Sequence, residues 1–201
     1  MKKIIYSLVG VVLAISLVGC SGIKDVIGRG ESQEVQDTQE AQDTQETQST
    51  STEITSEDGY GEGRFGDVMK TYFFSYRVNS AYLCDEYNGY LPADGKRLLV
   101  ADVTVKNTYN ESIEMYDTDF QVQWNTDGED DYDVPVTYYA DPVSDEQLPA
   151  AYALSINEER TGLLVFEVPE GYKDFSISYL EMFDDDSEGD LFFVYFTADE
   201  K

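Results

Sequence analysis

The sequence predicts an all-β protein, an immunoglobulin-like antiparallel β-sandwich of seven or eight strands preceded by a disordered tether. Three observations predict it. From Phe65 onward apolar and polar residues alternate with a period of two, the mark of strands with one buried face. The runs are short, and the segments between them are rich in Gly, Asp, Asn and Pro. No stretch carries a sustained helical period capped at both ends, although Glu146 to Leu154 could form one helical turn.

The first element is an address. Met1-Lys2-Lys3 is a basic start, and the run Ile4 to Val18 is apolar apart from Tyr6, Ser7, Gly10 and Ser16. As a helix it would span roughly 22 Å, short of the ~30 Å hydrocarbon layer of a bilayer. A basic entry, a short apolar run and a small-residue exit make a secretory signal, residues 1–19. The exit, Leu17-Val18-Gly19-Cys20, resembles the lipobox of bacterial lipoproteins, in which the cysteine thiol is diacylated and cleavage makes it the new N-terminus. On that resemblance Cys20 attaches the chain to the extracytoplasmic side of the cell membrane. Two acyl chains supply the double signal that stable attachment requires. Cleavage would remove Lys2 and Lys3 and leave 41 acidic against 11 basic residues.

Residues 20–63 form the second element. From Gly28 the composition collapses into Gln, Glu, Thr, Ser and Asp, with a six-residue repeat in Gln33–Thr38 and Gln39–Thr44 and a decayed copy in Gln45–Thr50. Between Glu31 and Gly63 there are ten acids and no base, and Val35, Ala41 and Ile54 are the only aliphatic residues before Tyr60. Such a segment has too little apolar surface to offset its chain entropy, so disorder is expected throughout.

Residues 64–201 are the folded body. Tyr72, Phe74, Tyr76 and Val78 alternate with Thr71, Phe73, Ser75 and Arg77, and Leu99, Ala101, Val103 and Val105 with Leu98, Val100, Asp102 and Thr104. Phe120, Val122 and Trp124 follow, then Leu164, Phe166 and Val168, then Phe175, Ile177 and Tyr179, and a last run from Leu191 to Thr197. Ile113–Tyr116 and Val134–Tyr139 are weaker strand candidates. Strands that follow one another without crossover helices pair antiparallel, and two such sheets face to face make a sandwich. Phe74, Val103, Val105, Trp124, Phe166, Ile177 and Phe193 are the expected core. Cys84, in a strand-rich segment, is expected to be buried and inert.

Composition excludes several functions. With 41 acidic and 13 basic residues the formal charge is −28, which opposes nucleic-acid binding because both partners would be polyanions. There is no histidine, so Ser-His-Asp and Cys-His catalysis and His-ligated zinc are absent. Two cysteines cannot build a disulfide framework or a four-thiolate metal site. No phosphate-binding loop, dinucleotide fingerprint or Gly-x-Ser-x-Gly elbow occurs.

Gly95 to Thr108, with the strand Val103-Thr104-Val105 closed by Lys106-Asn107, resembles the central block of a bacterial family, the domain of unknown function 4352. Ile113 and Asp119-Phe120 follow at suitable spacing, and Gly162 to Pro169 resembles the family's second block. The resemblance covers approximately Phe65 to Phe196. It implies an immunoglobulin-like domain on a lipid-anchored or secreted chain, and no catalytic residue. This chain departs from the pattern at Asn157-Glu158, where the family has a proline-glycine turn.

Two constellations could carry function. Tyrosines crowd the strand ends and loops, and Tyr87, Tyr90, Tyr138 and Tyr139 are the candidate ligand-binding residues, since tyrosine gives contact area with little entropy loss plus a hydroxyl. A monomeric chain binding a protein, peptide or glycan of the envelope or surroundings, without catalysis, is the expected function. The second constellation is acidic: Asp127–Asp133, and Asp184–Asp190. Asp184, Asp186 and Glu188 precede Gly189 at the spacing of a calcium-loop start, but position twelve is Tyr195 where such a loop needs a bidentate Glu. Solvated hairpin tips are the expectation and no cofactor is required. A calcium-dependent module is the alternative, and a carboxylate-based hydrolase a more distant one.

Overall fold

A computed structural model describes residues 51–124 and 131–201. The signal segment, Leu17, Val18, Gly19, Cys20 and the repeats up to Thr50 lie outside the described residues, as do Asp127, Gly128, Glu129 and Asp130 of the first acidic cluster. In chain order the strands are β1 (Glu53–Ile54), β2 (Tyr60–Gly63), β3 (Val68–Lys70), β4 (Phe74–Cys84), β5 (Lys96–Asn107), β6 (Ile113–Tyr116) and β7 (Phe120–Gln123). After these come β8 (Tyr132–Asp133), β9 (Ala151–Leu154), β10 (Glu159–Pro169), β11 (Asp174–Met182), β12 (Glu188–Thr197) and β13 (Asp199–Glu200).

The long alternating runs set the architecture. Strands β4 and β5 pair antiparallel from Phe74 opposite Asn107 to Cys84 opposite Leu98, and β10 pairs with the far edge of β5 from Glu159 to Pro169. With β1, β3 and β13 they make one sheet, and β2-β12-β11-β7-β8 make the other. A small ribbon, β6–β9, stands beside them. Packing these sheets face to face gives the expected all-β sandwich, with strands beyond the expected seven or eight because short edge strands add to it.

The core lies where the inward residues of both sheets meet. Phe74, Tyr76, Leu99, Val103, Val105 and Phe166 come from one sheet and Phe120, Ile177, Phe192 and Val194 from the other. At its centre the rings of Phe74, Tyr76, Phe120 and Tyr179 have centroids 4.6 to 6.3 Å apart, the range in which edge-to-face pairs are favourable. A bulge in β4 between Val78 and Ser80 takes Asn79 out of register. The Asn79 amide is used there, donating to Asp102 Oδ1 at 2.8 Å and Thr104 Oγ1 at 2.9 Å.

Several expectations need correction. Phe193 is not a core residue; its neighbour Phe192 is. Six apolar residues run together from Leu191 to Phe196, so alternation gives no phase, and pairing decides it by setting Val194 opposite Ile177 and Phe192 opposite Tyr179. Trp124 is only half-buried at the core's edge. Val134–Tyr139 contains a 3-10 turn, Val136–Tyr138, rather than a strand, because Pro135 starts it with a fixed φ of −53°. Residues 151–154 of the expected helical turn form β9 instead, with Tyr152 and Leu154 buried against the core.

The tether also ends earlier than its composition suggests. β1 is ordered by pairing with β3 and by Ile54 packing against the core, and β2 because glycine allows close approach: a Cβ at Gly61 would lie 2.5 Å from the Phe192 ring, and one at Gly63 2.7 Å from the Met69 sulfur. β1 joins β3, β2 joins β12 and β13 joins β4 in parallel. These strands come from segments distant in sequence from β12 and β4 or separated by the loop after β2, so the rule for consecutive strands does not bind them. At the departure from the family pattern, Asn157 adopts the left-handed region with φ of 63° and Glu158 N–H donates to Ser155 O at 2.9 Å. Asparagine thus does there what glycine would do in a proline-glycine turn.

Candidate functional site

On the outer face of the first sheet the pattern of β5 places Leu98 and Val100 under a second apolar cluster with Cys84, Tyr87, Val136 and Val165. The segment after β8 lies over these residues and leaves a cavity of about 250 Å³ at the Lys96 end of the sandwich. Its walls are Tyr90, Lys96, Asp133, Val134, Val136, Tyr139 and Glu167.

Each wall has a local cause. Lys96 opens β5 after Gly95, whose φ of +78° suits glycine. Glu167 sits on β10 with its side chain on the same outer face, and Lys96 Nζ reaches Glu167 Oε2 at 3.7 Å and Asp133 Oδ2 at 3.2 Å. The ammonium therefore joins the edge strand β8 of one sheet to two strands of the other. Tyr90 arrives through a two-residue turn in which Asn88 and Gly89 both have positive φ, 48° and 84°, while Tyr87 and Tyr90 exchange backbone hydrogen bonds of 3.0 and 2.9 Å. This turn aims the Tyr90 hydroxyl at Glu167 Oε1, to which it donates at 2.9 Å.

The electrostatics favour neutral phenols. Burial, then the hydrogen bond and charge of Glu167 and the charge of Asp133, push Tyr90 up to about 12. Burial and Asp133 also raise Tyr139. Around Lys96 the pocket thus offers one ammonium, two carboxylates and two protonated hydroxyls. It can make many hydrogen bonds to a polar ligand, with aromatic surface alongside.

The four candidate tyrosines meet different fates. Tyr90 and Tyr139 line the cavity. Tyr138 and Tyr139 stand edge to face at 4.9 Å, 62% and 70% exposed, on the 3-10 turn. Tyr87 is buried in the second apolar cluster and is structural. Asp184, Asp186 and Glu188 are exposed at the β11–β12 hairpin tip. There Asp186 has a φ of 65° and donates its N–H to Phe183 O at 2.9 Å. Among the described residues no three Asp, Glu or Cys converge as metal ligands. Cys84 is buried and free, and burial pushes its thiol up.

A polar cluster that sequence reasoning missed holds the pocket wall of the 3-10 turn in place. Asp117, 1% exposed, accepts a hydrogen bond from Thr137 on the turn that carries Tyr138 and Tyr139. Burial raises its carboxyl. Neighbouring Asp119 accepts from Tyr116 N–H at 2.9 Å and is pushed up to about 6, chiefly by burial. The Tyr152 hydroxyl lies buried close by, without a hydrogen-bond partner among the described residues, and burial and the charge of Asp119 push it far up. The only sequence signal was an acid pair placed just before a strand.

The family model for the domain of unknown function DUF4352 matches residues 63–188. The chain belongs to that family. The match covers β3 to β11, so the pocket lies within the DUF4352 domain, while β1 and most of β2 lie outside it. No curated protein matches in sequence. Among solved structures, the chain is similar to ycdA of Bacillus subtilis subsp. subtilis str. 168, described as a candidate lipoprotein, at 18% identity and a TM-score of 0.49; the likeness covers 65% of this chain and 38% of that one. It is also similar to the yjhA protein of Bacillus subtilis, at 15% identity and 0.44, over 66% and 98% of the two chains. A third is an uncharacterised β-sandwich protein of Clostridium difficile 630, at 12% and 0.35, over 68% and 93%. This chain therefore spans well under half the length of the first of these. Among the described residues no helix is long and apolar enough to cross a membrane.

Proposed function

We propose that this protein is a lipid-anchored, extracytoplasmic binding module without catalysis, whose pocket at the Lys96 end takes a neutral, hydroxyl-rich group such as one sugar unit of an envelope glycan. The observation that carries the reading is the Lys96 network: one ammonium between Asp133 and Glu167, with the Tyr90 hydroxyl on the same carboxylate and Tyr139 as an open aromatic wall. Few, well-placed polar groups beside aromatic surface fit a small ligand. Both pocket carboxylates face the same lysine, which suits them to accepting hydrogen bonds rather than to the acid–nucleophile pair of a glycosidase. The anchor rests on Lys2-Lys3, the apolar run and Leu17-Val18-Gly19-Cys20.

Two measurements test the two halves. Labelled palmitate should enter the full chain and not Cys20→Ala; equal labelling of both removes the anchor. Calorimetric titration with solubilised cell-wall glycan should give binding that weakens about tenfold or more in Tyr139→Ala and Lys96→Met, in line with the loss of one stacked ring or one charge-assisted hydrogen bond. No heat with the wild-type chain, or wild-type affinity retained in both variants, overturns the pocket.

A further inference from the structure

The opposite end of the sandwich carries a second feature of different chemistry. Three loops from both sheets meet there: Thr71–Phe73 before β4, Thr108–Ser112 after β5, and the hairpin tip from Phe183 to Ser187. They gather four rings. Tyr72 lies 4.9 Å from Phe73, 5.8 Å from Tyr109 and 5.4 Å from Phe183, and Phe73 is 5.5 and 5.6 Å from the last two. Tyr72 is 58% exposed on top of this group. An isolated exposed tyrosine is ordinary, but four touching rings at the meeting of three loops form a patch.

Each loop is fixed before any partner arrives. Thr71 Oγ1 donates to Phe74 O at 2.7 Å and closes the first. The buried Glu181 carboxylate accepts the Tyr72 backbone N–H at 2.7 Å and that of Asp190 at 3.1 Å, which ties the first loop to the hairpin. Buried Asn107 accepts from Tyr109 N–H at 2.8 Å and donates to Leu154 O at 3.0 Å. The platform therefore loses little freedom on binding.

Its loops are acidic. The three loops and the residue after them contain Glu111, Asp184, Asp185, Asp186 and Glu188 and no Lys or Arg. Lys70, just before the first loop, is engaged by Glu53 at 2.9 Å, and exposed Lys106 on β5, two residues before the second loop, is a single cation against these five carboxylates. The neighbouring Tyr72, then burial, Glu111 and Asp184, raise the Tyr109 phenol, so these carboxylates act on the ring cluster itself. Ring faces carry negative quadrupoles and attract ammonium and guanidinium groups, which a carboxylate can hold at the same time. Acidic or neutral partners gain nothing from the carboxylates.

We propose that this end of the sandwich, with Tyr72 exposed above Phe73, Tyr109 and Phe183 and bordered by carboxylates, is a docking site for a Lys/Arg-bearing segment of a partner polypeptide. The site is separate from the Lys96 pocket, and its chemistry selects a cation where the pocket selects a neutral polar group.

The test must separate the platform from the diffuse attraction of a chain of charge −28. A fluorescein-labelled peptide of alternating Arg and Ser is titrated with the full chain and followed by anisotropy. Tyr72→Ala leaves the charge unchanged and should weaken binding about tenfold, the scale of one cation–π contact with its desolvated neighbours. Tyr72→Phe should restore binding, and Tyr139→Ala at the other end should leave it as wild type. Equal affinity of Tyr72→Ala and wild type, or equal loss in Tyr139→Ala, overturns the site and leaves nonspecific charge attraction. A Tyr72→Ala effect on cell-wall glycan or on anionic vesicles instead of the peptide also overturns it. Near-ultraviolet circular dichroism of each variant checks that the fold is intact, and a Tyr72→Ala chain that fails this is replaced by Tyr72→Leu, which removes the ring without changing the charge and should weaken the same binding.

Discussion

At the Lys96 end of β5 unlike charges are drawn together and neutralise one another, whereas at the Asn107 end, roughly 36 Å away along the strand, four rings are drawn together and the carboxylates around them share their loops with no base. Both ends rest on one core, and each is braced by a buried carboxylate: Asp117 through Thr137 at the first, Glu181 through two backbone N–H groups at the second. The bracing differs in quality. Glu181 has both oxygens hydrogen-bonded, whereas among the described residues the Asp117 Oδ1 atom has no side-chain partner. A buried acceptor left unsatisfied costs stability, a cost that Glu181 does not bear.

The largest expected effect tests the shared core. Phe120 touches the rings of Phe74, Tyr76 and Tyr179. Phe120→Ala should lower stability by about 3–5 kcal/mol in urea denaturation and disturb both ends. A loss confined to one end would show that the ends fold independently. Next is the Asp117–Asp119 turn, whose Asp117 braces the turn that carries Tyr139. Asp119 has its folded value raised to about 6 from the ordinary aspartate value of 3.8, chiefly by burial. The folded state therefore holds the proton more tightly, and the contribution to stability is full below about pH 4 and lost as pH rises through 6. Asp119→Asn keeps the acceptor for Tyr116 N–H, and should stabilise by about 2 kcal/mol at pH 7 with no gain at pH 3.5. A gain of equal size at both pH values refutes the burial argument.

At the other end, Glu181→Gln keeps the shape and one acceptor but turns an N–H₂ toward the second backbone N–H. It should cost about 1–2 kcal/mol and change the tyrosine signal in near-ultraviolet circular dichroism, with pocket binding intact. If binding at the Lys96 end falls as well, the two ends are coupled through β5. The smallest effect concerns Asp184, Asp186 and Glu188. Their exposed, dispersed placement predicts an unchanged melting midpoint in millimolar calcium, because only a ligand that binds the folded state shifts it. A raised midpoint would mean that these carboxylates gather on a cation.

Much of the frame was legible because long strands announce themselves. β5, β10 and β11 carry apolar residues at every second position, Leu99 to Val105, Leu164 to Val168 and Phe175 to Tyr179, and these face the core. The bulge in β4, by contrast, shifts the inward phase from Val78 to Ala81 and Leu83. Where the pattern is unbroken, as in Leu191 to Phe196, or where the strand is short, as in β1 and β2, cross-strand partners far away in sequence decide the outcome. The site was half legible for the same reason. Tyr90 and Tyr139 could be picked out as loop tyrosines. Lys96, Asp133 and Glu167 could not, because nothing local marks a lysine that will meet two acids from other strands. The aromatic end was hidden too, since Tyr72 and Phe73 look like strand residues until the turn at Thr71 removes them from the sheet.

The first described strands have a mechanical consequence. Within a dozen residues the chain is stitched to one layer through β1 and to the other through β2, with Ser56 fastened to Asp190 between them. A tug arriving from the N-terminal side is thus shared between both layers at once, and the body can be held by a moving surface without one sheet being peeled from its mate.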